Sequence, residues 1–229
     1  FLAFRAFEFI RNDVCLQNQN VKLIGTGSGM AYSELGPTHH ATEDLSVLRA
    51  LPNLQIITPA SPLEVRKATK AIYEHHGPVY MRLGTNREPE IYEKDYHFQI
   101  GKAVTVKDGT DVTVIGMGSI LHDVLEVARE AERNSISVRV INMHTIKPLD
   151  KEAVIQAIEE TGKIITIEDQ NITGGLGSAV AEVIAEYGKP AKFRRIGLHD
   201  FSHGYGTYEQ VKNMNGIGKA ALNKEIEAM

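Results

Sequence analysis

Two adjacent histidines, His39 and His40, follow a glycine–proline turn in the run Gly36-Pro37-Thr38-His39-His40. Such a turn presents the residues after it at the surface, where an imidazole can bind a ligand or transfer a proton near neutral pH. Thr42 precedes a helical pattern that its hydroxyl could cap. We interpret the turn as a ligand-facing site, with a solvated surface loop as the simpler alternative.

Three phenylalanines, Phe1, Phe4 and Phe7, recur at the spacing of one helix face. Spacing alone favours a helix that packs this face into a core, because aromatic side chains are mostly packing residues. The apolar run Phe1-Leu2-Ala3-Phe4 is typical of the interior of a helix rather than of a chain start. We therefore expect further residues to precede Phe1.

Two glycine clusters are candidate ligand loops. The run Gly25-x-Gly27-x-Gly29 has the wrong spacing for a dinucleotide-binding loop, so we interpret it as a flexible active-site loop. The run Gly174-Gly175-Leu176-Gly177 opens a predicted helix and could offer backbone amides to an anion. Close packing of strand against helix explains the second cluster equally well, and we favour packing.

Composition excludes several classes of function. A net charge of -4, from 25 basic and 29 acidic residues, leaves no basic stripe for nucleic acid and no polybasic tract for a membrane surface. No apolar run reaches the length of a membrane-spanning helix. The one cysteine, Cys15, cannot build a disulfide framework or a cysteine-based zinc site, which fits a cytoplasmic setting.

The elements that must position these residues alternate between strands and helices, which predicts parallel sheets with helices on both faces. In a first unit we expect helices over 1–12, 41–50 and 62–75 and strands over 21–25 (short and buried), 54–58 and 79–83. The polar stretch 86–99 is typical of a linker. In a second unit we expect strands over 111–116, 137–143, 163–168 and 193–198 and helices over 120–133, 151–160 (capped by Asp150) and 178–187.

The order of several motifs resembles a known family. The histidine run is followed by Glu43-Asp44 and by Leu51-Pro52-Asn53-Leu54, an order that resembles the pyrimidine-binding domain of the transketolase family. The second unit resembles the transketolase C-terminal domain in a strand ending at 114–119, in Ile146-Lys147-Pro148-Leu149-Asp150, and in Glu168 followed by the second glycine cluster.

This resemblance implies an α/β fold of two three-layer domains with mostly parallel sheets. The first would be a pyrimidine-binding domain over residues 1–92 that lacks its start, and the second a transketolase C-terminal domain over residues 98–229. The family uses thiamine diphosphate, which supplies the chemistry that breaks and forms carbon–carbon bonds.

The resemblance also implies roles for individual residues. Phe4 would stack on the aminopyrimidine ring of the cofactor, with Phe1 and Phe7 close by in the same pocket. His39 would contact the substrate near the reacting carbon, where a neutral imidazole can move a proton or stabilise an oxyanion. His40 stands where relatives usually have glutamine, and the resemblance gives it no role.

Two features of the family are missing from this sequence. The glutamate that protonates the pyrimidine ring lies upstream of the aromatic residues in the family, and no residue here matches it. The Gly-Asp-Gly motif, which holds the diphosphate with Mg²⁺ or Ca²⁺, is also absent. We therefore expect no metal ligand in this chain and an N-terminal diphosphate-binding section or subunit as partner. Self-association into a homodimer or heterotetramer is also expected, because the family buries the cofactor between subunits.

The substrate-contacting positions depart from the family pattern. Thr26-Gly27-Ser28 replaces a His-Asp pair, and Leu35 replaces an aspartate that would bind a sugar hydroxyl. A less hydroxylated sugar or oxo acid fits this pattern better, with Ser28 as a candidate contact. Relatives commonly have a phosphate-binding arginine at the position of Thr85, and Arg87 is the candidate replacement, with a solvated linker residue as the alternative.

The sequence thus predicts the C-terminal section or subunit of a transketolase-like enzyme that transfers a two-carbon ketol or acyl unit to an aldehyde. One alternative is the β-subunit of a 2-oxo-acid dehydrogenase or a deoxyxylulose phosphate synthase. Another is a non-catalytic scaffold subunit that retains the fold, which the missing glutamate, Gly27 and Leu35 favour.

Overall fold

The N-terminal half, residues 1–99, contains the first sheet and the helices around it. The computed structural model describes residues 1–85 and 88–229, so Arg87 lies outside the described residues. The elements of this half are α1 (Leu2–Arg5), α2 (Phe7–Phe9), a π-helical segment (Ile10–Leu16), β1 (Lys22–Thr26), a 3-10 turn (Pro37–His39), α3 (Asp44–Arg49), β2 (Gln55–Ile57), α4 (Pro62–Glu74) and β3 (Val79–Leu83).

The C-terminal half, residues 100–229, contains the second sheet. Its elements are β4 (Val104–Lys107), β5 (Val112–Gly116), a 3-10 turn (Gly118–Ile120), α5 (Leu121–Arg133), β6 (Val138–Asn142), β7 (Thr145–Lys147), α6 (Lys151–Glu160), β8 (Lys163–Asn171), α7 (Leu176–Tyr187), β9 (Lys192–Leu198), α8 (Tyr208–Met214) and α9 (Lys219–Glu227). As predicted, the Asp150 carboxylate caps α6 by accepting a hydrogen bond from the Ala153 amide.

Strand β7 joins the two halves into one structure. The first sheet has the strand order β1-β3-β2-β7, in which β1, β3 and β2 are parallel and β7 is antiparallel to β2. Because β7 belongs to the C-terminal half, it extends a sheet that the N-terminal half begins. This strand was not predicted from the sequence; its three residues are separated from β6 by two residues.

The second sheet has the order β4-β6-β5-β8-β9, with β4 antiparallel and the other strands parallel. Every residue of β5 is buried, as expected of a central parallel strand with helices on both faces. The mostly parallel α/β fold class is therefore confirmed. None of the helices in the described residues combines the length and the apolar composition needed to cross a bilayer.

Three local expectations for the N-terminal half are wrong. The first helix is interrupted at Ala6, whose φ of -99° and ψ of 13° leave the helical region. Helix α3 begins at Asp44, and the Thr42 hydroxyl does not cap it but donates to the Glu43 carboxylate at 2.8 Å. Strand β1 is not a buried strand: it lies at the edge of its sheet, and Ile24 is 42% exposed.

The described part of the expected linker, residues 88–99, packs against both halves. The hydroxyls of Tyr92 and Tyr96 donate to Oε1 of the fully buried Glu64 at 2.7 and 2.5 Å. The Asn142 amide, at the end of β6, donates to both oxygens of the same carboxylate at 2.9 Å. One carboxylate of α4 therefore connects the second sheet with this segment.

Candidate functional site

The histidine turn, residues 36–40, forms a single turn of 3-10 helix at the surface. Gly36 begins it with a φ of 77°, a conformation that L side chains rarely adopt. The His39 amide donates to the Gly36 carbonyl at 3.0 Å, and the His40 amide donates to the Pro37 carbonyl at 3.2 Å. The His39 side chain is exposed, with its Nδ1 3.1 Å from the Thr38 hydroxyl. The expected exposure is confirmed for His39 and not for His40, whose Nε2 is buried.

One of the aromatic residues at the start of the chain, Phe1, meets the histidine turn. The Phe1 ring lies edge-on to the His39 ring, with 5.9 Å between the ring centroids. The Arg5 guanidinium lies 4.3 Å from the centroid of Phe1. Phe4 is 46% exposed, whereas Phe7 is partly buried against the core. Phe1 and Phe4 thus have ring surface free for a ligand, and Phe7 contributes to packing.

His40 points away from solvent and contacts the C-terminal half. Its Nδ1 lies 2.6 Å from the hydroxyl of Ser202, which is 2% exposed. Burial lowers the pKa of His40, and neighbouring His39 lowers it further, while the Tyr32 backbone opposes both effects. The family resemblance implies no role for His40, and His40 and Ser202 lie 162 residues apart, too far for sequence spacing to indicate their contact.

The glycine loop that precedes the turn is anchored to β3. The amides of Gly27 and Ser28 donate to the carbonyls of Gly84 and Leu83 at 3.2 and 3.0 Å. Ser28, the candidate substrate contact, is 4% exposed and therefore lies beneath the loop surface. The side chain of Leu35 is 52% exposed.

A cleft of about 1080 Å³ lies between the halves, next to this loop. Both halves line it with polar groups, including Thr26, Thr85, Ser119, His122, Asp123 and Lys212, beside the apolar Leu35. Lys212 pairs with the Asp123 carboxylate, so these two charges balance each other. Apolar groups, among them Pro59, Val65 and Leu83, form the larger part of the lining, so the cleft suits a small molecule with both apolar and polar groups.

A buried ion network lies behind the histidine turn. The Arg82 side chain, 1% exposed, donates to Asp44 at 3.1 Å, to Asp169 at 2.9 Å and to the Ala41 carbonyl at 2.8 Å. The hydroxyls of Tyr80 and Tyr208 donate to Asp44 and Asp169, at 2.7 and 3.0 Å, respectively. Arg82 thereby fixes the backbone directly after the turn to both halves. The only indication of this network in the sequence was Arg82 itself, a charged residue within an otherwise apolar strand.

The second glycine cluster is occupied by a side chain of the protein itself. The fully buried Glu168 accepts hydrogen bonds from the amides of Leu176 and Gly177 at 2.7 and 2.9 Å. Burial raises the pKa of Glu168 to about 7, although the two amides and Arg82 oppose that effect. Because Glu168 fills the amide cradle at the start of α7, this cluster does not offer an external anion site.

Among the described residues, His122, Asp123 and Glu126 form a group whose ligand atoms lie within 4.8 Å of one another. Lys212 pairs with Asp123, and Lys219 pairs with Glu126. Since ammonium groups already neutralise both carboxylates, this group is a charge network of the protein rather than a cation site.

Comparisons with known proteins match most of the chain to one family. The description of the transketolase pyrimidine-binding domain matches residues 1–88, and that of the transketolase C-terminal domain matches residues 101–222. An apulose-4-phosphate transketolase subunit from Actinobacillus succinogenes is 38% identical over 218 residues, which cover 95% of this chain and 70% of that protein. The 6-deoxy-6-sulfo-D-fructose transketolase subunit SqwH of Clostridium sp. (strain MSTE9) is 33% identical, covering 95% of this chain and 67% of that protein.

A solved structure described as a split gene transketolase, inactive beta4 tetramer, has a TM-score of 0.91 and 36% sequence identity. The superposition covers 100% of this chain and 73% of that one. Sequence motifs, fold and relatives agree, and the chain therefore belongs to the transketolase family, whose pyrimidine-binding and C-terminal domains it contains.

Proposed function

We propose that the chain is the C-terminal section or subunit of a transketolase-like transferase that moves a two-carbon unit between small sugars or oxo acids. The observation that carries this proposal is the packing of exposed His39 against the exposed ring of Phe1. A histidine and an aromatic group that share one surface can face a substrate and a planar cofactor at the same time.

Thiamine diphosphate is the cofactor that this surface suits. Phe1 and Phe4 keep ring surface exposed, to which an aminopyrimidine can stack. When bound, the cofactor supplies the carbanion chemistry of carbon–carbon cleavage and formation. The part of this chain is to bind and orient the pyrimidine ring with Phe4 and Phe1, while His39 moves a proton or donates to a developing oxyanion on the substrate. Phe7, at the start of α2, packs against the core and would hold the preceding segment with Phe1 and Phe4 in place.

The diphosphate and its Mg²⁺ or Ca²⁺ are proposed to bind to a partner. The sequence has no Gly-Asp-Gly motif, and Lys212 and Lys219 engage the acidic cluster at His122. An N-terminal diphosphate-binding section or subunit would therefore complete the site, and association of two copies of each would complete the assembly. The relative from Actinobacillus succinogenes is named as one subunit of a transketolase, which supports this division.

A cytoplasmic location and a role in carbohydrate metabolism belong to the same proposal. Cys15, the one cysteine of this sequence, is a buried free thiol, as suits a reducing compartment. Domain boundaries at residues 92 and 98 leave a short connection, and β7 of the second domain adds to the sheet of the first.

Leu35, exposed at the cleft, favours a donor or acceptor with fewer hydroxyl groups.

The direct test of this proposal is reconstitution with the diphosphate-binding section. We expect the complete assembly to transfer two-carbon units from ketose phosphates or deoxy sugars to aldehydes. Turnover of pyruvate as the preferred donor would favour the synthase or dehydrogenase alternative. An assembly that binds cofactor and metal but turns over none of these donors would favour the scaffold alternative.

The chain by itself is expected to bind thiamine diphosphate weakly or not at all. The reason is that its aromatic surface is proposed to contact the pyrimidine part alone, whereas the ligands of the metal and diphosphate are expected on the partner. Calorimetric titration with cofactor and Mg²⁺, with and without the partner section, measures the difference. Binding tighter than micromolar in the absence of the partner would contradict the division of the site.

Replacing Phe4 by alanine in the complete assembly should weaken cofactor affinity by roughly one to two orders of magnitude, because stacking and burial are both lost. The matched control is Phe9→Ala, which removes another exposed ring, 63% accessible, that lies outside the 1, 4, 7 spacing. Cofactor dissociation constants and thermal unfolding of the three proteins are compared. If Phe4→Ala and Phe9→Ala bind cofactor equally well, Phe4 is not a cofactor contact.

A further inference from the structure

One segment of the C-terminal half, the anchoring segment of residues 199–206, lies against the histidine turn. Its Ser202 is 2% exposed, although Phe201 on one side is 72% exposed and Tyr205 is 67% exposed. The buried Ser202 hydroxyl lies 2.6 Å from Nδ1 of His40. A hydroxyl that points inward from an otherwise exposed loop is held in one orientation, and here that orientation is toward the residue next to His39.

The same segment contacts the other end of the turn. A Cβ added at Gly36 would lie 2.1 Å from Cε1 of Tyr205, so the tyrosine ring packs directly on the glycine backbone. The anchoring segment therefore contacts the first and the last residue of the turn, Gly36 and His40. His39 lies between these contacts, with its side chain exposed beside Thr38 and Phe1.

The anchoring segment is itself firmly attached. The amide of His203 donates to Oδ1 of Asn215 at 2.8 Å, and Nδ2 of Asn215 donates to the His203 carbonyl at 2.8 Å. Directly after the segment, Thr207 and Gln210 form a capping box that begins α8. These hydrogen bonds fix the segment relative to α8, so that the Ser202 hydroxyl is held in place by its neighbours.

We propose that Ser202 and His40 are positioning residues, which orient His39 toward the substrate through the Ser202–His40 hydrogen bond. The inference rests on the proposed function of His39. Within the described residues, the contact with Ser202 is the one side-chain hydrogen bond of the His40 ring, and the Tyr32 backbone is near enough to raise the pKa of the ring. Because His40 follows His39 directly, a fixed His40 restricts the backbone that directs His39.

The first experiment compares Ser202→Ala, His40→Ala and the double variant in the complete assembly. Each should lower kcat by roughly 10- to 100-fold, since small misplacements of a catalytic group cost rates of that order, with little change in cofactor affinity. The double variant should be no slower than either single variant, because the two residues act through one bond. His40→Asn, which keeps an amide near the position of Nδ1, should recover most of the lost rate. His203→Ala, an exposed histidine one residue from Ser202, is the matched control and should behave as the parent.

A second readout does not depend on activity. Hydrogen exchange of the His39 and His40 amides should be faster in Ser202→Ala than in the parent and in His203→Ala, because the turn opens more often when its anchor is removed.

Three results would overturn the inference, each distinguishable from failure of the proposed function. Parental kcat and parental exchange in Ser202→Ala, together with a large loss in His39→Ala, would show that His39 needs no such positioning. If the losses of kcat in the two single variants multiply in the double variant, Ser202 and His40 act independently. If His40→Asn does not recover the rate, the hydrogen bond at Nδ1 is not what positions His39. If His39→Ala itself runs at the parental rate, the proposed function of His39 fails first.

Discussion

Replacing His39 by alanine in the complete assembly is expected to lower kcat by roughly 10²- to 10⁴-fold, the range typical of a lost general acid–base or oxyanion-stabilising group. His39 is exposed beside Phe1, so its removal should leave no buried cavity and cost little stability. Cofactor affinity should stay nearly unchanged, because the side chain is proposed to face the substrate. Steady-state rates with a panel of ketose phosphates, deoxy sugars and pyruvate as donors measure the effect.

The neighbouring histidines provide controls for this experiment. His40→Ala should cost less than His39→Ala, because His40 is directed to Ser202 rather than to the surface. His203→Ala removes an exposed histidine from the adjacent loop and should leave the rate unchanged. If the complete parent assembly is active and His39→Ala matches it, the assignment of chemistry to the histidine turn is wrong. An inactive parent that still binds cofactor and metal would support a scaffold role.

The sequence predicted those parts of the fold that depend on local pattern. The strand at 79–83 and the helix at 62–75 have strong periodicity and clear ends, and the structure has β3 at Val79–Leu83 and α4 at Pro62–Glu74. The glycine–proline turn predicted the exposure of His39 for the same reason, since the turn geometry depends on adjacent residues.

The parts that were missed depend on pairing across the chain. Strand β7 has three residues, too few for a period, and it is a strand because β2 of the other half accepts it. Strand β1 was predicted to be buried because its residues are apolar, yet its place in the sheet is decided by strand order, which puts it at the edge. The segment around Tyr92 and Tyr96 was predicted to be a linker because its residues are polar. Its tyrosine hydroxyls instead donate hydrogen bonds to the buried Glu64, which lies on a helix distant in sequence.

The candidate site shows the same division between local and distant information. His39, Phe1 and Phe4 were found from motif and spacing, and the structure brings the first two together. Nothing near His40 in sequence indicated Ser202, 162 residues away. Arg82 was visible as a charge within an apolar strand, but its partner Asp169 lies 87 residues further along the chain. Long-range polar contacts therefore required the three-dimensional structure.

Replacing Arg82 by methionine is expected to lower the free energy of unfolding by roughly 3–5 kcal/mol, because removal of one member of a buried ion network leaves uncompensated charge. The side chains of Arg82, Asp44 and Asp169 are 1–2% exposed, so water cannot replace the lost partner without opening the structure. The network also holds the Ala41 carbonyl, and its loss should loosen the backbone after the histidine turn. Denaturant titration of the chain measures the stability.

Two further variants separate loss of the buried pair from loss of an arginine in general. Arg194→Met makes the same substitution at a side chain that is 57% exposed and 3.8 Å from Glu225, and it should change stability by less than about 0.5 kcal/mol. Adding Asp44→Asn and Asp169→Asn to Arg82→Met should recover part of the loss, because neutral amides remove the unpaired charge while keeping the shape. If Arg82→Met is no less stable than Arg194→Met, the ion network does not hold the halves together. If the triple variant is less stable than Arg82→Met alone, the hydrogen bonds of the carboxylates to Tyr80 and Tyr208, rather than the charge balance, carry the stability of this contact.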